Sequence, residues 1–182
     1  TLFKPQRRIL DADMPTPDAR LQIQDRAIDK LTAAGYVFIG MDHFAKPDDE
    51  LAVAQRERRL HRNFQVYSTH SDRDMLSFGI TSIGKVGASY SQNVKTLDEY
   101  YQRLDEGVLP AFRGIGLSGE DVLRRAVIQS LMCHFEVAFD SFDKDFGIDF
   151  SKHFAVELAE RGEMERAGLL RIEARRIVVL SP

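Results

Sequence analysis

Between residues 16 and 35 the order of apolar and polar positions is that of a helix. In TPDARLQIQDRAIDKLTAAG, Leu21, Ala27, Ile28 and Leu31 share one face, which predicts a packing partner. Thr16 is placed to cap this helix, Pro17 occupies its first turn, and Gly35 lies just past its end. The pattern then shortens to YVFIGM, residues 36–41, an aromatic and β-branched run that predicts a buried strand. Helix followed by strand at this spacing predicts an α/β unit with parallel strands. Asp42 and His43 would then stand where the strand gives way to a loop, the usual place for functional groups in such folds. DHFAKPDDELAVAQRERRL continues with a helix reaching Arg58, its acidic residues near the positive end and its arginines near the negative end.

LHRNFQVYSTH, residues 60–70, fits neither period, and crowds hydrogen-bonding groups around Phe64 and Val66. In DMLSFGITSIGKVGASYSQN, the apolar run from Met75 to Ile83 and the glycines Gly79, Gly84 and Gly87 predict a strand running into a loop that approaches a ligand closely. The order is not that of a GxGxxG dinucleotide fingerprint. TLDEYYQRLDEG predicts a short helix capped by Thr96 and stopped by Gly107, with Leu97, Tyr100, Tyr101 and Leu104 as its apolar side.

A different organisation begins near Leu109. Ser118 and Asp121 form a capping-box pattern before a helix that reaches about His134 and carries Val122, Leu123, Val127 and Leu131. SKHFAVELAERG and EMERAG predict further helical pieces, and LLRIEARRIVVL predicts two short strands around a charged turn. Helices closed by a hairpin give a winged-helix outline. The expected organisation is therefore α/β over residues 1–108 and a mostly helical, winged-helix-like domain over residues 109–182.

Composition narrows the functions. With 182 residues, 43% of them hydrophobic and twelve of them Phe, the chain can close a core without disulfides. A net charge of -3 gives no electrostatic footprint for nucleic acid. The apolar runs are too short for a membrane span and no signal peptide opens the chain, so a cytoplasmic location is expected. TLFKPQRRIL, without Met, reads as a cut inside a longer chain. The single cysteine, Cys133, falls among apolar residues and reads as structural. The five histidines form no HxH or HExxH pattern, and no Ser sits in GxSxG, so neither a metal site nor a hydrolase is expected in this segment. Asp42, His43, Asn63, Gln65, Tyr67, Ser68 and Thr69, with Gly79 and Gly84, remain as either a ligand-binding loop or ordinary surface polarity.

A resemblance separates these readings. YVFIGMDHFAKPDDELAVAQRERRLHRNFQVYSTH, continued by DMLSFGITSIG, SYSQN, YYQRLDEGVLP, RRAVIQSLMCHFEV and FGIDF, resembles the oxygen-independent coproporphyrinogen III oxidases. These are radical S-adenosylmethionine enzymes of haem biosynthesis. The likeness is to the family's C-terminal part only. It implies that residues 1–108 supply the last elements of a partial TIM-like barrel, and that residues 109–182 partly cover its opening. The family's CxxxCxxC motif, which binds a [4Fe–4S] cluster, would lie in the part of the parent protein that this segment lacks. Phe64, Gln65 and Ile83 match family residues beside a second S-adenosylmethionine, and Asp42, His43, Asn63 and Tyr67 are further pocket candidates. Catalytic acids, bases and metal ligands are expected to be absent from this segment. At Val66 many relatives carry Gly, in NFQGYS. A β-branched residue there removes access to positive φ and adds bulk beside the loop.

For the parent, the resemblance implies cleavage of S-adenosylmethionine by the reduced cluster. The resulting radical removes hydrogen from a propionate β-carbon of coproporphyrinogen III, and loss of CO2 and one electron leaves a vinyl group. Two such events give protoporphyrinogen IX, with an electron acceptor whose identity the resemblance leaves open. A monomeric parent is compatible with this reading, whereas the isolated segment is expected to be inactive and to self-associate through uncovered apolar surface. The alternatives are a non-catalytic haem-binding or structural relative of the family, and a winged-helix nucleic-acid binder.

Overall fold

A computed structural model describes residues 9–64, 66–70 and 73–180. They fall into two compact units that divide after Val53. In the first, α1 (Pro17–Ala33) starts as its sequence requires, with Thr16 Oγ1 accepting the Ala19 N–H at 3.2 Å and Pro17 in the first turn. Gly35 ends it with φ +83. No residue of α1 is fully buried; Ile28 and Leu31 are half-covered, while Leu21 and Ala27 are exposed. The expected packed face is therefore only partly closed within the described residues.

Strands β1 (Val37–Gly40) and β2 (His43–Ala45) form an antiparallel hairpin, not the parallel α/β unit anticipated from helix–strand order. Gly40 pairs with His43, and positive φ at Gly40 and Met41 reverses the chain over two residues. A parallel connection would need a dozen or more. Asp42 consequently occupies a hairpin turn and His43 begins a strand. Helix α2 (Glu50–Arg56) opens with Asp49 Oδ1 accepting the Leu51 N–H at 2.9 Å.

The second unit begins with a two-residue ribbon, β3 (His61–Arg62) against β4 (Tyr67–Ser68). A three-stranded antiparallel sheet follows: β5 (Ile83–Val86), β6 (Ser89–Asn93) and β7 (Ala111–Gly116), with β6 central. The apolar run from Met75 is not a strand as anticipated, since Met75 makes one isolated bridge, to Lys85, and the ladder starts at Ile83. Gly79 at φ +93 and Thr81 at φ +59 break the extension. Side chains satisfy that backbone instead: the Gly79 N–H donates to Tyr100 Oη at 3.0 Å, and Asn93 Nδ2 donates to Gly79 O at 2.9 Å. Helix α3 (Leu97–Asp105) lies between β6 and β7, and Gly107 at φ +71 follows it.

Ser118 begins the last region with the anticipated capping box. Its hydroxyl accepts the Asp121 N–H, and Asp121 Oδ2 accepts the Ser118 N–H at 2.9 Å. Helix α4 (Gly119–His134) ends at Phe135, whose φ of 56 turns the chain into β8 (Glu136–Ala138). Helices α5 (Phe139–Phe146), α6 (Phe150–His153), α7 (Ala155–Glu160) and α8 (Gly162–Arg166) lead to the hairpin of β9 (Leu170–Glu173) and β10 (Arg176–Val179). Strand β10 is central, flanked by β9 and β8. Leu123, Val137, Leu170, Ile177 and four phenylalanines close the core, with Phe139 and Phe150 stacked at 4.4 Å. Sequence periodicity gave no warning of β7, β8 or α5.

Candidate functional site

The β3–β4 ribbon, strands β5 and β6, and one face of α4 surround a cavity of about 850 Å³. Helix α4 contributes Arg125, Gln129 and Met132, which helical spacing places on one face. Gln129 grips the ribbon like a partner strand: its Oε1 accepts the Arg62 N–H at 2.9 Å and its Nε2 donates to Arg62 O at 2.5 Å. Tyr67 makes a second link, donating from Oη to Met132 O at 3.2 Å. The connection between the two strands closes on itself, with the Asn63 N–H donating to Val66 O and the Val66 N–H to Asn63 Oδ1. That turn holds Phe64 62% exposed, its ring edge-on to Tyr90 at 5.9 Å.

Cations outnumber carboxylates on a largely apolar wall. Arg62, Arg73, Lys85 and Arg125 line it, and so does Arg124, which is neutralised by Glu120 and Glu157. The lining carboxylates already have partners: Asp74 Oδ1 accepts the Gly87 N–H at 2.7 Å, and Asp121 serves the α4 cap. The Ser118 hydrogen bonds hold Asp121 below the usual carboxylate range. Nη1 of Arg62 and Nη1 of Arg125 are buried without a hydrogen-bond partner among the described residues. Beneath this wall Cys133 is fully buried, and burial pushes its thiol up to about 11, which keeps it neutral and unreactive at pH 7.

The residues singled out from sequence separate here. Asn63 and Phe64 line the cavity. Tyr67 is 4% exposed, and the Arg62 guanidinium lies 4.9 Å over its ring, so it anchors the ribbon from behind. Ile83 is half-buried at the start of β5, its carbonyl accepting from Ser77 Oγ at 2.6 Å, and it does not line this cavity. Gln65 lies outside the described residues. Asp42 and His43 belong to the first unit, where His43 Nδ1 stands 2.8 Å from Asp42 Oδ1. Sequence reasoning passed over Arg62, Lys85, Tyr90, Arg125 and Gln129. The available signal was the i, i+4 pairing of Arg125 with Gln129 on a helix read only for its apolar side.

Residues 117–179 match the family described as the HemN C-terminal domain. Over 98% of its length the chain is 47% identical to the oxygen-independent coproporphyrinogen III oxidase of Salmonella typhimurium, covering 39% of that protein. It is 46% identical to the Escherichia coli enzyme of the same name, again over 98% of the chain and 39% of the relative. A solved structure of the Escherichia coli coproporphyrinogen III oxidase HemN, described as a radical SAM enzyme, superposes with a TM-score of 0.89 at 45% identity, covering 96% of this chain and 40% of that one. The chain thus spans about two fifths of the length of these relatives.

Proposed function

We propose that this chain, similar over 98% of its length to oxygen-independent coproporphyrinogen III oxidases, is the C-terminal part of an enzyme that oxidatively decarboxylates two propionates of coproporphyrinogen III to vinyl groups, yielding protoporphyrinogen IX. The observation that carries this reading is similarity sustained over 98% of the chain. In the parent, residues 1–108 supply the last elements of the radical S-adenosylmethionine barrel, and residues 109–182 form a winged-helix-like cover. This chain provides one wall of the reaction chamber. Apolar surface left exposed before Leu109 is covered by the rest of the parent.

The family implies S-adenosylmethionine and a [4Fe–4S] cluster. A cluster held by three cysteines does not fit a chain with one, buried in α4. No step is therefore assigned to these residues through the cluster. A second S-adenosylmethionine fits better beside Phe64, whose exposed ring meets Tyr90 and offers an apolar face to an adenine. Gln65 follows Phe64 in the chain and has an amide suited to such a ligand, while Ile83, on β5 and outside this cavity, would pack from beyond its wall. The role of these residues is binding and exclusion of water.

Anaerobic turnover of coproporphyrinogen III by the full-length parent tests the function, with 5′-deoxyadenosine and protoporphyrinogen as readouts. The isolated chain, reconstituted with iron and sulfide, is expected to form neither product, and robust turnover by it would sink the fragment reading. Full-length Gln65→Ala should lose roughly 1–3 kcal/mol of cofactor or transition-state binding when its partner is left buried. Ile83→Ala should weaken packing with cluster content unchanged. Unchanged occupancy and turnover in both variants would remove the loop from the site.

A further inference from the structure

We infer that Arg62 and Arg125, with Lys85 beside them, form a carboxylate-binding site that holds a propionate of the tetrapyrrole. This inference rests on the proposed function and deepens it. Three cations reach one cavity from three separate elements, Arg62 from β3, Lys85 from β5 and Arg125 from α4. Such convergence is not a feature of one solvated helix face. Each arginine lies against an aromatic ring, Arg62 over Tyr67 at 4.9 Å and Arg125 over Tyr90 at 5.9 Å. A cation–π contact of this kind uses the face of the guanidinium, and its N–H edge is the part that meets a carboxylate.

The polar accounting points the same way. Nη1 of both arginines is buried without a partner among the described residues, and an unmet charged donor is more expensive than a neutral one. Neither arginine nor Lys85 has an ion pair among the described residues, whereas neighbouring Arg124 has two. The anionic lining is committed elsewhere, Asp121 to the α4 cap and Asp74 to the Gly87 N–H. Among the described residues, these three cations are thus left without an anionic partner. The remaining wall includes Met75, Ile128 and Met132. A ligand suited to it has an apolar body and peripheral carboxylates, which describes a tetrapyrrole with propionate arms. A volume of about 850 Å³ accommodates the edge of such a ring system.

The test uses the full-length parent and coproporphyrin III, the stable oxidised counterpart of the substrate, alongside its tetramethyl ester. Binding is followed by fluorescence, with equilibrium dialysis of S-adenosylmethionine in parallel. Arg62→Gln and Arg125→Gln should each weaken binding of the acid by roughly ten- to a hundredfold, leaving ester binding and S-adenosylmethionine affinity unchanged. Arg62→Lys and Arg125→Lys, which retain the charge, should recover part of the loss. Acid binding unaffected in both Gln variants would overturn the inference, and so would a loss confined to S-adenosylmethionine. A lowered melting temperature with acid binding intact would give the pair to a carboxylate of the parent protein and equally overturn it. Wild-type enzyme that turns over coproporphyrinogen while the variants bind normally sinks only this site. Wild-type enzyme that neither binds nor converts the tetrapyrrole sinks the functional reading itself.

Discussion

Two stretches of the second unit are similarly rich in apolar residues and use them differently. From Ser118 onward most phenylalanines turn inward: Phe139, Phe142, Phe150 and Phe154 all lie in one buried cluster with side chains from α4, β8, β9 and β10. Between Met75 and Gly116 most large apolar side chains turn outward, with Phe78 85% and Leu109 82% exposed, although Val94 is buried. Helix α3 has the amphipathic order of a packed helix, yet Leu97, Tyr101 and Leu104 remain open. Apolar content therefore does not decide burial. The second stretch is a sheet and helix left uncovered among the described residues, in a chain that spans about 39% of the relative's length.

The sharpest break of that comparison is a phenylalanine deleted from each side. Phe150 is 1% exposed, stacked on Phe139 at 4.4 Å and tilted against Phe154 at 4.6 Å. Phe150→Ala should cost about 3–5 kcal/mol in urea unfolding, from lost burial and the cavity left behind. Phe78→Ala should stay within about 0.5 kcal/mol. Similar losses at both positions would show that the exposed stretch is packed after all.

Local chemistry made the capped helices and the final hairpin readable. The Thr16 and Ser118 caps, the reach of α4 to His134 and the final hairpin all follow from residues within a few positions of one another. The failures were of longer range. YVFIGM looks the same in a parallel strand and in a hairpin, and only positive φ at Gly40 and Met41 decides for the hairpin. Strand β7 went unread because alternation is a signal of one buried face, and every residue of β7 is exposed. For the site, LHRNFQVYSTH stood out because its polar groups serve the turn and the α4 links, and Asn63 and Phe64 do reach the cavity. Arg62 and Arg125 come from positions more than sixty residues apart, and no local pattern reports that meeting.

Smaller effects sharpen the contrast at the start of α4. Ser118→Ala removes the hydroxyl that accepts the Asp121 N–H and should cost about 1 kcal/mol, read as a lower unfolding midpoint with an unchanged denaturant slope. Thr96→Ala should cost less, because Thr96 caps α3 without a side-chain hydrogen bond. At the other end of α4, burial holds His134 below the usual imidazole range, and the positive charge of Arg58 adds to this. A folded value below the unfolded one, about 6.5, gives stability that is fully present above that pH. It is lost as pH falls toward the folded value. The melting temperature should hold from pH 8 to 7 and decline below about 6.5, less steeply in His134→Gln. An identical decline in the variant would assign the acid sensitivity to other groups.

The smallest expected effect on stability falls on β7, where the effect on association should be plain. Phe112 and Ile115 lie on opposite faces of this edge strand, 52% and 61% exposed, so the strand is uncovered on both sides as well as along its free edge. Lys95 sits over the Phe112 ring at 5.4 Å and screens it only in part. The isolated chain should therefore bind apolar dyes and elute as oligomers in size-exclusion chromatography. Phe112→Ser combined with Ile115→Ser should shift it toward monomer, with its unfolding free energy changed by no more than about 0.5 kcal/mol. In a protein of the relatives' full length, if added chain covers this strand, the same pair should instead destabilise, because the side chains would there be buried. A wild-type chain that is monodisperse, monomeric and free of bound dye would show that β7 needs no partner, and the distinction between the two stretches would then rest on the phenylalanine core alone.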